Sequence, residues 1–139
     1  MFTHTTNVRV RYSETDKMGY LYYGHYPQYY EVGRAEAIRS LNISYRDLEE
    51  VHQVMMPVMT LNMRYVRPAF YDDLLTIQTT VKKIPASTIT FHMEIFNEKK
   101  ELLNGGLVKL CFVDMNTNKS IPCPAYVLDK LTPFFNDRD

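Results

Sequence analysis

Arg11-Tyr12-Ser13-Glu14-Thr15-Asp16-Lys17-Met18-Gly19-Tyr20-Leu21-Tyr22-Tyr23-Gly24-His25-Tyr26 joins a short alternating segment to the longest helical pattern in the chain. The carboxylate of Asp16 stands in this linker, about two helical turns' worth of residues ahead of the helix entrance. Six of the eleven tyrosines fall between Tyr20 and Tyr30. An acid in front of an aromatic-lined helix N-terminus is suited to chemistry on a carbonyl group, and the flanking sequence reads as its scaffold.

Upstream, residues 5–12 alternate, with Val8, Val10 and Tyr12 on one face and Asn7, Arg9 and Arg11 on the other. A period of two predicts a half-buried strand. Ser13 to Tyr22 is expected as a loop, with Gly19 free to take a backbone conformation that other residues resist. Downstream, the spacing predicts a helix from about Gly24 to Leu41. Pro27 suits its first turn, where a missing N–H costs nothing. Tyr26, Tyr29, Tyr30, Gly33, Ala37, Ile38 and Leu41 share one face, with Glu31, Arg34 and Arg39 mostly off it. Gly33 within a helix costs roughly 1 kcal/mol relative to Ala, a cost that close approach to a sheet would explain. Residues 44–52 read as a short second helix, with Ser44 as N-cap and Asp47 at the capping-box position.

From residue 54 the period becomes two again. Strands are expected over 54–66, 75–82 and 89–95, separated at Arg67-Pro68-Ala69, Asp72-Asp73 and Pro85-Ala86. Residues 102–115 are apolar on both faces, as in a strand covered twice, and Gly105-Gly106 suggests a bulge within it. Pro124 opens a short terminal helix. The order is one strand, a long helix, a short helix and four long antiparallel strands: an α+β architecture in which the sheet wraps the helix. Its remaining edges and outer face invite self-association.

With 139 residues the chain suits a single domain spanning 1–139. Hydrophobic residues make up 45% and the formal net charge is zero, so the basic footprint of a nucleic-acid binder is missing. Nothing approaches the ~20 apolar residues of a membrane span, and the Met1–Thr5 start is unlike a signal peptide, which points to the cytoplasm. Cys111 and Cys123 are too far apart for a redox pair, and Cys111 reads as a small buried hydrophobe. The four histidines, His4, His25, His52 and His92, have no metal-ligand spacing, so no metal is expected.

Arg9-Val10, Thr15-Asp16, Gly19, Tyr23, Tyr26 and Glu31, followed by Arg67-Pro68-Ala69 and Asp72-Asp73-Leu74, resemble the hotdog-fold thioesterases over nearly the whole chain. The branch is that of 4-hydroxybenzoyl-CoA thioesterase and the acyl-CoA thioesterase of the bacterial Tol-Pal cluster. The resemblance implies a hotdog fold and a homodimer with one continuous sheet, often paired into a homotetramer, with active sites between subunits. It also implies Asp16 as the catalytic carboxylate, the backbone N–H at Tyr23 as the donor to the thioester oxygen, and no cofactor. Tyr23 stands where the Tol-Pal branch often has His, so His25 does not inherit that histidine's role. Tyr20 replaces a usual aliphatic residue.

Thioester hydrolysis needs an activated nucleophile and a stabilised oxyanion. The leaving thiol has a pKa of about 8–9, by analogy with free Cys, so a strong general acid is dispensable. Asp16 can attack the carbonyl or activate a water, and the free N–H groups near Tyr23 and Gly24 sit at the positive end of the helix dipole. Gly19, Tyr22, His25, Tyr26, Thr60 and Arg67 are expected to contact substrate. From spacing alone, Asp16 reads first as a loop or cap residue, and it is the resemblance that makes it catalytic; Tyr26, Tyr29 and Tyr30 read as core or interface packing. Glu31 reads as a base or, rather, as a residue orienting the loop. Arg64, Arg67, Lys82 and Lys83 read as CoA phosphate contacts or a solvated rim. The expected function is acyl-CoA thioesterase, with a non-catalytic acyl-CoA binding module and a hotdog hydratase or dehydratase as alternatives.

Overall fold

The computed structural model describes residues 1–135. Strand β1 (Phe2–Arg9) pairs antiparallel with β4 (Leu74–Val81), β4 with β5 (Thr88–Phe96), β5 with β6 (Leu102–Asp114), and β6 with β3 (Val58–Tyr65). Two short strands, β2 (Val54–Met55) and β7 (Lys119–Ile121), extend β6 at its C-terminal end. The sheet curls around helix α1 (Tyr26–Ser40); two shorter helices, α2 (Tyr45–Glu50) and α3 (Ala125–Leu131), follow in the chain. This is the α+β arrangement expected, with one long helix across one face of an antiparallel sheet. No helix among the described residues is long and apolar enough to cross a membrane.

The apolar stripe of α1 explains why it sits where it does. Tyr26, Tyr29, Tyr30, Ala37 and Ile38 are buried against Leu75, Ile77, Phe91, Met93 and Ile95 of the sheet, in one continuous core. Each large apolar side chain so buried contributes roughly 1.5–3 kcal/mol. Gly33 is the closest point of approach: a Cβ there would lie 2.6 Å from Ile77 Cγ2 and 2.9 Å from Thr79 Oγ1. Helix and sheet touch because that side chain is missing. Ser44 Oγ accepts from Asp47 N–H at 3.0 Å, giving α2 its cap.

Several expectations are corrected. The first strand runs from Phe2 to Arg9 rather than 5–12; the chain then enters a 3-10 turn at Tyr12–Glu14, and Tyr12 is exposed rather than on the inner face. Arg34 is buried rather than off the apolar face, because α2 covers that flank of α1 with Tyr45. Met56 and Pro57 split the 54–66 segment, since proline cannot donate to a ladder. Gly105 and Gly106 pair in register with Glu94 and Met93 on one side and Arg64 and Met63 on the other. The irregularities lie instead next to Leu103 and Met59. Strand β6 is covered on both faces only towards its C-terminal end, where Phe112 and Val113 are both buried; before that, Val108 and Leu110 are buried while Leu107 is exposed. Cys111 consequently lies half-buried, and Cys123 is the buried thiol, pushed up to about 12 by burial.

Candidate active site

Between β1 and α1 the chain makes a small hairpin of its own. Tyr22 N–H donates to Glu14 O (2.9 Å) and Asp16 N–H to Tyr20 O (2.8 Å), flanking a bridge between Thr15 and Leu21. Gly19 occupies the tip with φ +83°, the left-handed conformation that glycine takes without strain. Leu21 N–H donates to Ala69 O (2.8 Å) and Tyr20 bridges Phe70, so the Arg67–Ala69 turn backs the hairpin.

Asp16 is held within this hairpin and half-buried. Its Oδ1 accepts from Met18 N–H (2.9 Å) and Tyr20 N–H (3.1 Å), an Asx-type arrangement. Oδ2 takes no hydrogen bond among the described residues, and Asp16 lines a pocket of about 290 Å³. Tyr20, Tyr23, Tyr26, Tyr65 and Pro68 wall that pocket, with Arg67 at its edge. The walls are largely apolar, and Asp16 is the acid among them.

The helix mouth completes the arrangement. Tyr23–His25 form a 3-10 turn that runs directly into α1, with Pro27 in the first turn. The first bond of that turn is His25 N–H to Tyr22 O (2.9 Å), so the N–H groups of Tyr23 and Gly24 precede it and lack a partner within the turn. Tyr65 Oη donates to Tyr23 O (3.0 Å) and steadies the turn from β3. Rings of Tyr23 and Tyr26 meet Tyr65 edge-on at 6.3 and 5.1 Å. Burial raises the phenol pKa of Tyr26, opposed by the Ala69 main chain, and that of Tyr65, with Tyr23 adding to it. Both are protonated walls at neutral pH and cannot serve as bases.

Of the residues expected at the site, Asp16, Tyr23, Tyr26 and Arg67 line one pocket, and Gly19 shapes the hairpin behind it. Arg67 Nη1 donates to Leu102 O (3.2 Å), which ties it to β6. Tyr22 and His25 lie outside on the lip, ring to ring at 5.7 Å, with the Tyr22 ring seated where a Gly24 side chain would be. Thr60 is on exposed β3 and does not line this chain's pocket. Glu31 lines a different, open groove of about 870 Å³ between β1 and α1, shared with Arg9, Glu36 and Asp72. That groove is larger, has a more mixed lining than the Asp16 pocket, and excludes Asp16. Arg64 and Lys82 border a shallow depression on the outer face of the sheet, away from Asp16.

Sequence reasoning missed Tyr65, the last residue of its strand, whose alternation gave it no special mark. It also missed Glu14, which looked like any loop acid. Glu14 is buried, and Tyr29 Oη donates to its Oε1 at 2.6 Å.

Residues 18–104 match the description "Thioesterase superfamily". The acyl-CoA thioesterase YbgC of Haemophilus influenzae is 33% identical over 120 residues, 86% of this chain and 88% of that protein. The acyl-CoA thioester hydrolase YbgC of Escherichia coli O6:H1 is 34% identical over 77% of this chain and 79% of its own length. The crystal structure of a DHNA-CoA thioesterase from Staphylococcus aureus superposes with a TM-score of 0.82 at 35% identity, covering 97% of this chain and 85% of that one.

Proposed function

The chain belongs to the thioesterase superfamily and is an acyl-CoA thioesterase; on that premise we propose that Asp16 is its nucleophile or general base and the N–H groups of Tyr23 and Gly24 its oxyanion donors. The single observation behind this reading is the division of labour at Asp16. Oδ1 is fixed by two backbone donors, whereas Oδ2 takes no hydrogen bond among the described residues, and the residue lines the pocket. A carboxylate merely capping a turn gains nothing from facing an aromatic-walled cavity.

The thioester carbonyl is then placed between Oδ2 and the helix mouth. As the carbonyl carbon becomes tetrahedral, negative charge on its oxygen is met by the outward N–H groups and the positive end of the α1 dipole. Collapse expels the CoA thiolate, a good leaving group without a general acid. Either Oδ2 bonds to the carbonyl carbon and water later releases the acid, or Oδ2 takes a proton from the attacking water. The tyrosine rings exclude bulk water and favour a flat or short acyl group packed against them.

Self-association is part of the proposal. Strand β3 is exposed on both faces, with Val58, Met59, Leu61 and Tyr65 all open to solvent, and one edge unpaired. Pairing β3 with its copy would make a homodimer with a continuous sheet and bring a partner's surface, Thr60 included, towards the pocket mouth; two such dimers would make the homotetramer. A cytoplasmic setting follows from the substrate, because charged CoA thioesters do not cross bilayers unaided.

The test is thiol release from a panel of acyl-CoAs, acetyl through palmitoyl and benzoyl, by wild type and Asp16→Asn. Asp16→Asn keeps the Oδ1 acceptor and should lower kcat by about 10³-fold or more, with an unchanged circular dichroism spectrum. A near-normal rate in this variant would remove Asp16 from the chemistry.

A further inference from the structure

Glu14 joins three separate parts of the site. Its backbone O accepts Tyr22 N–H (2.9 Å), the residue directly before the Tyr23 donor. Two residues along the chain is Asp16. Its side chain reaches the body of α1, where Oε1 accepts from Tyr29 Oη (2.6 Å) and from Arg11 N–H (3.0 Å), while Oε2 lies 3.6 Å from Arg11 Nη1. An acid this buried requires partners, and these provide them.

The consequence is geometric. Asp16 is on a hairpin whose second strand is held to the Arg67–Ala69 turn by the Leu21 N–H to Ala69 O bond, while its first strand, which carries Glu14 and Asp16, is joined by side chain to the body of α1 through Glu14. The oxyanion donors belong to the helix, whose position is fixed by the sheet through Tyr26, Ala37 and Gly33. What couples one to the other is the Glu14–Tyr29 contact together with the Glu14–Tyr22 bond. Tyr29 is itself fully enclosed, and burial, with Glu14 second, holds its phenol protonated so that it always donates.

We infer that Glu14 is a positioning residue for hydrolysis: through Tyr29 it sets the distance between the Asp16 carboxylate and the N–H donors at Tyr23 and Gly24. Glu14 is not one of the residues that line the Asp16 pocket; it borders the separate groove between β1 and α1. The inference rests on the assignment of Asp16. It also accounts for an acid and a tyrosine that neither the core nor the pocket otherwise requires to be polar.

The experiment compares Tyr29→Phe, Glu14→Ala, Glu14→Gln and the Tyr29→Phe/Glu14→Ala double variant, with Asp16→Asn alongside. Displacement of a reacting group by about 1 Å costs on the order of 10²-fold. Tyr29→Phe, which removes one oxygen and leaves the fold alone, is expected to lower kcat by about 10-fold or more while KM stays within about twofold. Glu14→Ala should match it, and the double variant should lose no more than either alone, as expected of residues acting through one contact. Glu14→Gln keeps an acceptor oxygen and should recover most of the rate. Binding stoichiometry of a non-hydrolysable thioether acyl-CoA should remain one per site throughout. The inference is overturned if Tyr29→Phe and Glu14→Ala turn over normally while Asp16→Asn is dead. It is equally overturned if lost kcat is matched by lost binding stoichiometry, which would make the pair a fold element only. A failure of the underlying assignment shows separately, as an active Asp16→Asn.

Discussion

At the scale of single residues, two adjacent glycines show how differently one residue type is used. A Cβ on Gly105 would meet only Met93 O, at 3.7 Å, an ordinary contact. A Cβ on Gly106 would fall 2.1 Å from Asn62 O and 2.9 Å from both Met63 Cα and Tyr30 Oη. Those first two atoms are backbone of β3, which cannot yield without leaving its register. Tyr30 Oη in turn donates to buried Asn104 Oδ1, so Gly106 also makes room for a polar contact that pins α1 to β6. Gly105→Ala should therefore be neutral within about 0.5 kcal/mol in urea unfolding. Gly106→Ala should cost about 2 kcal/mol or more, by overpacking. Equal effects of the two substitutions would contradict this account. The sequence marks both glycines alike; only the register separates them.

At the scale of elements, what could be read in advance was whatever repeats within a segment. The tyrosine spacing and Gly33 set out the buried face of α1, and alternation set out β4 and β5, because each pattern records contacts made by that element alone. Arg34 and Tyr12 broke the reading because α2 covers one and nothing covers the other, facts held elsewhere in the chain. For the same reason Asp16, Tyr23, Tyr26 and Arg67 were found as candidates, whereas Tyr65 and Glu14 were not: their importance comes from partners 42 and 15 residues away. Strand β3 carries the clearest element-level prediction. Apart from Met63, which packs against the core, its apolar side chains stay exposed, and a long exposed edge is a template for pairing. Leu61→Lys, placed on this strand, should halve the mass seen by light scattering through like-charge repulsion across the seam. Thiol release should fall with it, while the circular dichroism spectrum holds. An unchanged mass would place the interface on another surface.

At the scale of the whole molecule, a single curled layer leaves its outer face to solvent, and that face is predominantly basic. Arg64, Lys82 and Lys109 stand there against Glu94, with His92 in the middle, opposite Thr80 and Leu107. Partial burial, and then the Lys82 charge, hold the His92 imidazole below its ordinary 6.5, with Glu94 acting weakly the other way. A base whose folded pKa is depressed binds fewer protons in the folded state than in the unfolded one. Its contribution is then complete above about pH 6.5 and is lost as the pH falls through the folded value. Carboxylates such as Glu101, held low chiefly by the Asn97 amide, act only further down, below about 4.5. Urea midpoints taken from pH 7.5 to 5 should decline in wild type, and His92→Gln should flatten that decline without changing the plateau above neutrality. Because the outer face is remote from Asp16, kcat measured at pH 7.5 should be the same in both proteins. A midpoint curve with the same slope in His92→Gln would mean that the acid limb arises from groups elsewhere in the fold.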